Sequence, residues 1–146
     1  MGEVVLVTEP EWRKGEAQFA GACDLTLRCA PPDESSLARK VRDAGCRAVI
    51  LGVARYVGEL YDALAACAGV RGGIIARFGV GHDGIDKDRA WQDGLLVTNT
   101  PGVLDQSVAE HTVALMLGVS RHLGLLHARV RAGDWSPRTG RELAGA

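Results

Sequence analysis

Short apolar runs rich in β-branched residues alternate with segments of helical periodicity over the first hundred residues. The apolar runs predict five strands, at Val4–Val7, Leu25–Leu27, Ala48–Leu51, Ile74–Phe78 and Leu95–Val97. The segments between them predict four helices, one through Trp12 and Phe19, one from about Glu34 to Gly45 as its C-cap, one from about Val57 to Ala68 and a short one through Ala90 and Trp91. This alternation favours βαβ units, so the predicted fold is α/β, a flavodoxin-like five-stranded parallel sheet with helices on both faces.

A longer helical pattern follows, from Ser107 to about Ala132. Ser107 and Glu110 match a capping box, and Gly133 is the expected stop. A helix that is apolar all round is buried on several sides, so we expect another domain or subunit to cover this one. Its apolar residues surround the axis at Val113, Ala114, Leu115, Met116, Leu117, Val119, Leu123, Leu125 and Leu126.

These patterns divide the chain into three parts. Residues 1–104 are expected to form the flavodoxin-like domain, and residues 105–133 a long C-terminal helix that crosses to another domain or subunit. Residues 134–146 read as a tail with no closing strand or helix, at the boundary to a further domain. A homodimer through the long helix is the expected assembly.

The composition is that of a folded globular domain and excludes several classes of function. Of 146 residues, 47% are hydrophobic and 24% charged, and the formal charge is −1, so no strong field draws the chain to nucleic acid or to a membrane surface. No apolar run approaches the ~18 residues of a membrane helix, and the N-terminus lacks a signal-peptide pattern, so the expected compartment is the cytoplasm. The cysteines have no CxxC pair and are predicted to be reduced thiols rather than metal ligands; they are Cys23, Cys29, Cys46 and Cys67.

The candidate chemistry lies in a glycine-rich stretch after the fourth predicted strand. Gly79, Gly81 and Gly84 match G-x-G-x-x-G, the pattern of a dinucleotide-binding turn. The context argues against that interpretation, because the motif belongs after a first strand, the next helix is short, and Asn99 stands where the ribose-binding acid belongs. Two interpretations remain open. Successive backbone N–H groups form a nest for a small anion, a carboxylate as well as a phosphate, or the stretch is a plain turn whose glycines supply positive φ.

Several short motifs occur in one order along the second half of the chain. They are Arg77–Asp86 (RFGVGHDGID), Asn99–Gly102 (NTPG), Val108–His111 (VAEH), Leu115–Leu117 (LML), Arg121 and Gly133–Trp135 (GDW). Together they resemble the D-isomer-specific 2-hydroxyacid dehydrogenases, most specifically from about Ile74 to Trp135. The resemblance implies a flavodoxin-like substrate domain, joined in that family to a Rossmann coenzyme domain. It also implies an NAD- or NADP-dependent oxidoreductase that interconverts 2-keto acids and D-2-hydroxy acids.

The resemblance assigns roles by motif position. The backbone of Val80 and Gly81 would hold the substrate carboxylate, Leu104 would line the pocket, and Val108 would lie close to the nicotinamide. Gly84 replaces the asparagine that is usual in the family. Since glycine and asparagine both tolerate the left-handed region, the turn is expected to survive this change.

Other polar residues near the predicted site are not assigned a substrate role by motif position. Arg55 and Tyr56 follow the third predicted strand, and topology alone places them near the side chain of the substrate. Arg77 is not the family's catalytic arginine, and its place at the end of a strand suggests a structural hydrogen-bonding role. His82 lies in the glycine-rich stretch, whereas the other histidines are expected at a helix surface or interface; they are His111, His122 and His127.

The family's catalytic arginine, glutamate and histidine have no counterpart among these 146 residues. We therefore expect no catalytic residue in this chain, no tightly bound NAD or NADP, and no dehydrogenase activity of the chain alone. The alternative is a stand-alone, non-catalytic module that binds a carboxylate or forms oligomers.

Overall fold

The computed structural model describes residues 2–21 and 24–145, so Cys23 lies outside the described residues. The chain divides into two compact units, one up to Gly102 and one from Val103 onward. The strands of the first unit are β1 (Glu3–Thr8), β2 (Leu25–Ala30), β3 (Ala48–Leu51), β4 (Gly73–Arg77) and β5 (Leu95–Thr98). Its helices are α1 (Glu9–Phe19), α2 (Glu34–Ala44), α3 (Glu59–Ala68) and α4 (Lys87–Gln92), with a 3-10 turn at Gly69–Arg71.

The five strands form one parallel sheet in the order β2-β1-β3-β4-β5. The predicted flavodoxin-like sheet is therefore confirmed, and each predicted strand is present. The direction of strand order reverses between β1 and β3. In such sheets ligands bind beyond the carboxyl ends of the strands at this switch point.

The main core lies between the sheet and helices α2, α3 and α4. Its members include Leu6, Val49, Ile75, Leu37 and Leu64, each at most 3% exposed. On β1 the alternate residues Val5 and Val7 are buried as well, and α1 packs against β1 and β2. Both faces of β1 are therefore covered, as the continuous apolar run predicts.

Helix α2 shows how the sequence fixes the ends of its elements. The Asp33 carboxylate accepts a hydrogen bond from the Ser36 N–H at 2.9 Å, which holds the pKa of that carboxyl below its usual range. At the other end Gly45 has a φ of 58°, which confirms the predicted C-cap.

The second unit corrects the prediction of one continuous helix. It contains α5 (Asp105–Ser120) and α6 (Leu123–Arg131), and His122 between them has a φ of 54°. A left-handed residue cannot continue the helical ladder. The C-terminal segment stabilises the break, because the Arg141 N–H donates to the Ser120 carbonyl at 2.8 Å. Gly133 follows α6 with a φ of 79°, as the predicted stop requires.

The predicted capping box at Ser107 and Glu110 is wrong. The N-cap of α5 is Leu104, three residues before Ser107, and Glu110 accepts a hydrogen bond from Gln106 Nε2 at 2.7 Å. No residue of α5 or α6 is buried. Among the described residues, no helix is long and apolar enough to cross a membrane.

Candidate functional site

A cavity of about 160 Å³ opens at the carboxyl ends of β3 and β4. Two loops form its walls: the β3–α3 segment (residues 52–58) and the glycine loop (residues 78–86). The lining consists of Gly52, Val53, Arg77, Gly81, His82, Asp83, Gly84 and Ile85. The two walls are joined directly, because the Tyr56 N–H donates to the Gly84 carbonyl at 2.8 Å.

The residues after β5 hold the glycine loop from one side. The Asn99 side chain donates from Nδ2 to the Val80 carbonyl at 2.9 Å. The Thr100 N–H donates to the Gly79 carbonyl at 3.0 Å. Asn99 therefore fixes the loop, in the position where a dinucleotide fold would carry its ribose-binding acid.

Arg77 also holds the glycine loop in place through hydrogen bonds. Its Nε donates to the Gly81 carbonyl at 2.6 Å and its Nη1 donates to the Phe78 carbonyl, so the predicted hydrogen-bonding role of Arg77 is confirmed. The bonds from Arg77, Asn99 and Thr100 together engage the four consecutive carbonyl groups of residues 78–81. In the described part of the chain, the N–H groups of Val80 and Gly81 have no acceptor. Unengaged successive N–H groups are the donors from which an anion nest is built.

The Glu34 carboxylate fixes the opposite wall. It accepts hydrogen bonds from the backbone N–H groups of Val57 at 3.1 Å, Gly58 at 2.6 Å and Leu60 at 3.4 Å. These groups open helix α3 and have no partner within their own helix. A side chain from α2 thus orders the end of the β3–α3 segment.

A buried hydroxyl network ties both walls to the core. The Tyr56 hydroxyl donates to the Pro32 carbonyl at 3.0 Å, and the Tyr61 hydroxyl donates to the Tyr56 carbonyl at 2.9 Å. The Asp86 N–H donates to the Tyr61 hydroxyl at 2.8 Å. Burial raises the pKa of Tyr56 to about 12 and also raises the pKa of Tyr61. Both hydroxyls therefore stay protonated and able to donate at neutral pH.

The structure brings together only some of the residues that the sequence assigns to the substrate. Val80 and Gly81 lie in the glycine loop beside the cavity. Tyr56 is 1% exposed and its hydroxyl is used within the core, whereas Arg55 is exposed and does not line the cavity. Val53, from the same segment, lines it instead.

Leu104 and Val108 belong to the second unit. Leu104 precedes α5 and is 46% exposed, and Val108 lies in the first turn of α5 and is 60% exposed. Their roles toward substrate and nicotinamide therefore stay predictions that rest on motif position.

The glycine loop does not fit the pyrophosphate of a dinucleotide. Such a ligand needs free N–H groups and positive potential at a helix N-terminus. Here α4 has only six residues, and its N-cap Asp86 accepts a hydrogen bond from the Arg89 N–H at 2.9 Å. The Asp86 carboxylate already occupies the position at the helix N-terminus that a phosphate would take. The residues present therefore suit a small anion at Val80 and Gly81 better than NAD or NADP.

Gly84 is required for a different reason from the one predicted. Its φ is not positive; a Cβ built on it would lie 2.5 Å from the Ala54 carbonyl oxygen. The glycine is needed because the two walls of the cavity approach each other closely. Gly79, with a φ of 138°, is the member of the motif that needs conformational freedom.

Sequence reasoning missed a buried carboxylate behind the cavity. Glu11 is 4% exposed, accepts a hydrogen bond from the Thr8 hydroxyl, and lies 3.5 Å from Lys14 Nζ. A Cβ on Gly52 would overlap the Oε1 atom of Glu11. The clue in the sequence is a glycine directly after a buried strand, because such a glycine marks a close approach.

The remaining candidate groups show no further chemistry. His82 lines the cavity with Nδ1 3.3 Å from Lys87 Nζ, while the other histidines lie in the second unit. No cluster of three metal-ligating side chains occurs within residues 2–21 and 24–145. Burial raises the pKa of the Cys46 thiol, which makes it a poor nucleophile.

A larger groove of about 580 Å³ beside Trp91 and β5 is mainly apolar.

Comparison with known proteins identifies the family. The family model of the D-isomer specific 2-hydroxyacid dehydrogenase catalytic domain matches residues 5–142, and the chain belongs to this family. It is 32% identical over 149 residues to a glyoxylate reductase of Thermofilum pendens, covering 96% of this chain and 41% of that protein. It is 42% identical over 74 residues to a hydroxypyruvate reductase of Thermotoga maritima, covering 49% of this chain and 24% of that protein.

Solved structures agree with this family. An NADPH-dependent glyoxylate/hydroxypyruvate reductase from Sinorhizobium meliloti, in complex with NADP and malonate, superposes with a TM-score of 0.74 at 26% identity, over 99% of this chain and 44% of that one. A D-lactate dehydrogenase from Aquifex aeolicus with NAD and lactic acid gives 0.73 at 26% identity, over 95% and 41%. The chain thus spans about two fifths of the length of these relatives.

Proposed function

We propose that this chain is the substrate-binding portion of an NAD(P)-dependent oxidoreductase that interconverts 2-keto acids and D-2-hydroxy acids. The observation that carries the proposal is the glycine loop, whose carbonyl groups are engaged by Arg77, Asn99 and Thr100 while the N–H groups of Val80 and Gly81 are left without acceptors. This arrangement presents donors to an anion without any rearrangement of the loop, which lowers the cost of binding.

The size of the cavity favours small substrates. At roughly 30 Å³ per water molecule in the liquid, a volume of about 160 Å³ corresponds to about five waters. A keto acid of two to four carbons is of this size. Val53 lines the cavity on the β3–α3 segment, so we propose that this segment contacts the substrate side chain, with Arg55 at its exposed edge.

Backbone amide NMR tests this proposal on the 146-residue chain. Titration with glyoxylate, pyruvate or hydroxypyruvate is expected to shift the Val80 and Gly81 amide signals saturably. In Asn99→Ala the Val80 carbonyl loses its donor, so binding is expected to weaken roughly three- to tenfold, as for the loss of one ordinary hydrogen bond. Gln106→Ala removes a surface amide from the second unit and serves as the control. Shifts elsewhere, or none, would contradict the proposal.

The chain alone is proposed to be inactive. Hydride transfer needs a bound nicotinamide and a positioned proton donor, and the glycine loop does not fit the pyrophosphate of a dinucleotide. We expect no oxidation of NADH with glyoxylate by the 146-residue chain. Measurable turnover would overturn this part of the proposal while leaving carboxylate binding intact.

The second unit supports a dimer as a further part of the proposed function. Its helices carry large exposed apolar side chains, including Leu115 at 55%, Met116 at 51% and Leu123 at 55% exposure. Large apolar side chains exposed together on one pair of helices indicate an interaction site. The same observation favours the alternative of a stand-alone oligomerising module that binds a carboxylate.

Light scattering tests the dimer. We expect twice the chain mass for the wild-type chain and a monomer for Leu115→Glu, because a buried unpaired carboxylate is costly in an interface. Val70→Glu, at an isolated and fully exposed apolar position in the first unit, should leave the mass unchanged. A monomeric wild-type chain would rule the dimer out.

A further inference from the structure

Arg77 is a buried cation that forms no ion pair with any of the described residues. Its side chain is 8% exposed, and its hydrogen bonds go to the carbonyl oxygens of Gly81 and Phe78. Among the described residues, no carboxylate oxygen lies within 4.0 Å of its guanidinium nitrogens. Asp83 lines the same cavity but makes no ion pair with it.

Such a cation is unusual in a folded protein. Arginine is seldom this buried unless it is paired, since a charge removed from water costs free energy that neutral carbonyl groups recover only in part. Buried charges in proteins are normally paired with a group of opposite charge. The missing partner of Arg77 is therefore an anion.

One nitrogen of the guanidinium is available to that anion. Nε and Nη1 are engaged with the glycine loop, whereas Nη2 has no acceptor in the described part of the chain. Nη2 is not fully buried, since it would otherwise count among the buried side-chain atoms that have no hydrogen-bond partner. Arg77 lines the cavity, so an anion bound there would lie close to its guanidinium group.

We propose that Arg77 supplies the positive charge by which this cavity selects a carboxylate over an uncharged carbonyl compound. It is a positioning residue, which holds the Gly81 and Phe78 carbonyls so that the loop amides stay free, and its charge compensates the bound anion. The inference rests on the proposed function and names the group that sets its preference for acids. A role in hydride or proton transfer is no part of it.

The test compares an acid with its neutral analogue of the same shape. Pyruvate and pyruvamide are titrated into the 146-residue chain, and the dissociation constants are read from the Val80 and Gly81 amide signals. The wild-type chain is expected to prefer pyruvate at least tenfold. Arg77→Gln keeps a donor but no charge, so this preference is expected to fall close to one. Arg77→Lys keeps the charge and should retain most of the preference.

A purely structural role for Arg77 would weaken both ligands equally and leave their ratio unchanged. Arg89→Gln is the matched control, because Arg89 already has carboxylate partners in Asp62 and Asp93; its ratio should equal that of the wild-type chain. A wild-type preference that persists in Arg77→Gln overturns the role of Arg77 and leaves the proposed function standing. A wild-type chain that binds neither ligand overturns both.

The wild-type chain provides a second measurement if Arg77→Gln does not fold. The Nε–H resonance of Arg77, assigned through Arg77→Lys, should shift on addition of pyruvate with the same midpoint as the Gly81 amide. Pyruvamide at equal occupancy should shift it much less. A resonance that pyruvate leaves unmoved while the Gly81 amide responds would overturn the inference.

Discussion

Replacing Gly84 by alanine is expected to lower the free energy of unfolding by about 2–3 kcal/mol, the cost of overpacking a close contact. The new Cβ would lie 2.5 Å from the Ala54 carbonyl oxygen, and the atoms it meets belong to the backbone. The walls of the cavity cannot separate freely, because the hydrogen bond from the Tyr56 N–H to the Gly84 carbonyl joins them.

Gly81→Ala is the matched control for this substitution. Gly81 lines the same cavity, its φ is not positive either, and a Cβ built on it meets no atom within 4 Å. Its stability should change by no more than about 0.5–1 kcal/mol, in either direction. Urea unfolding followed by circular dichroism measures both variants. Equal losses would show that the contact between the two walls contributes nothing to stability.

Removing the Tyr61 hydroxyl is expected to cost about 2–4 kcal/mol, because two buried backbone groups lose their partner at once. In Tyr61→Phe the Tyr56 carbonyl loses its donor and the Asp86 N–H loses its acceptor. Tyr61 itself is fully buried, so water cannot easily replace the hydroxyl.

Tyr56→Phe provides the comparison for Tyr61→Phe, since it deletes one hydrogen bond, to the Pro32 carbonyl. A loss of about 1 kcal/mol is expected there. Chemical denaturation of both variants at neutral pH, where both hydroxyls are protonated, gives the difference. If Tyr61→Phe is no less stable than Tyr56→Phe, the hydroxyl of Tyr61 does not hold the two walls to the core.

The sheet could be predicted because each of its strands is indicated by a short, contiguous stretch of sequence. Runs such as Val4–Val7 and Ala48–Leu51 are short, apolar and β-branched, and Gly45 marks the end of a helix by its own backbone preference. The break at His122 could not be found in this way. The apolar pattern continues through it, and the contact that stabilises it comes from Arg141, about twenty residues along the chain.

The site could be predicted only in part, for a related reason. The loop after β4 is visible as a cluster of glycines, and its place at the carboxyl edge follows from parallel topology. Topology does not say which way a side chain faces: it predicts Tyr56 near the substrate, whereas the Tyr56 side chain is buried in the core and its hydroxyl bonds to Pro32. The bond from Asn99 to the Val80 carbonyl joins residues from different strand ends, and no local pattern reveals it.

Asp86 has a consequence for how glycine motifs are separated from one another. An acid two residues beyond the last glycine supplies its own negative charge to the helix that follows, which disfavours a pyrophosphate at that helix end. A G-x-G-x-x-G followed at this distance by a helix-capping aspartate is therefore a variant of the motif in which the protein's own carboxylate neutralises the positive end of the next helix. A scan that requires the absence of this aspartate would set aside loops like this one, whose unengaged amides we propose to bind a small anion.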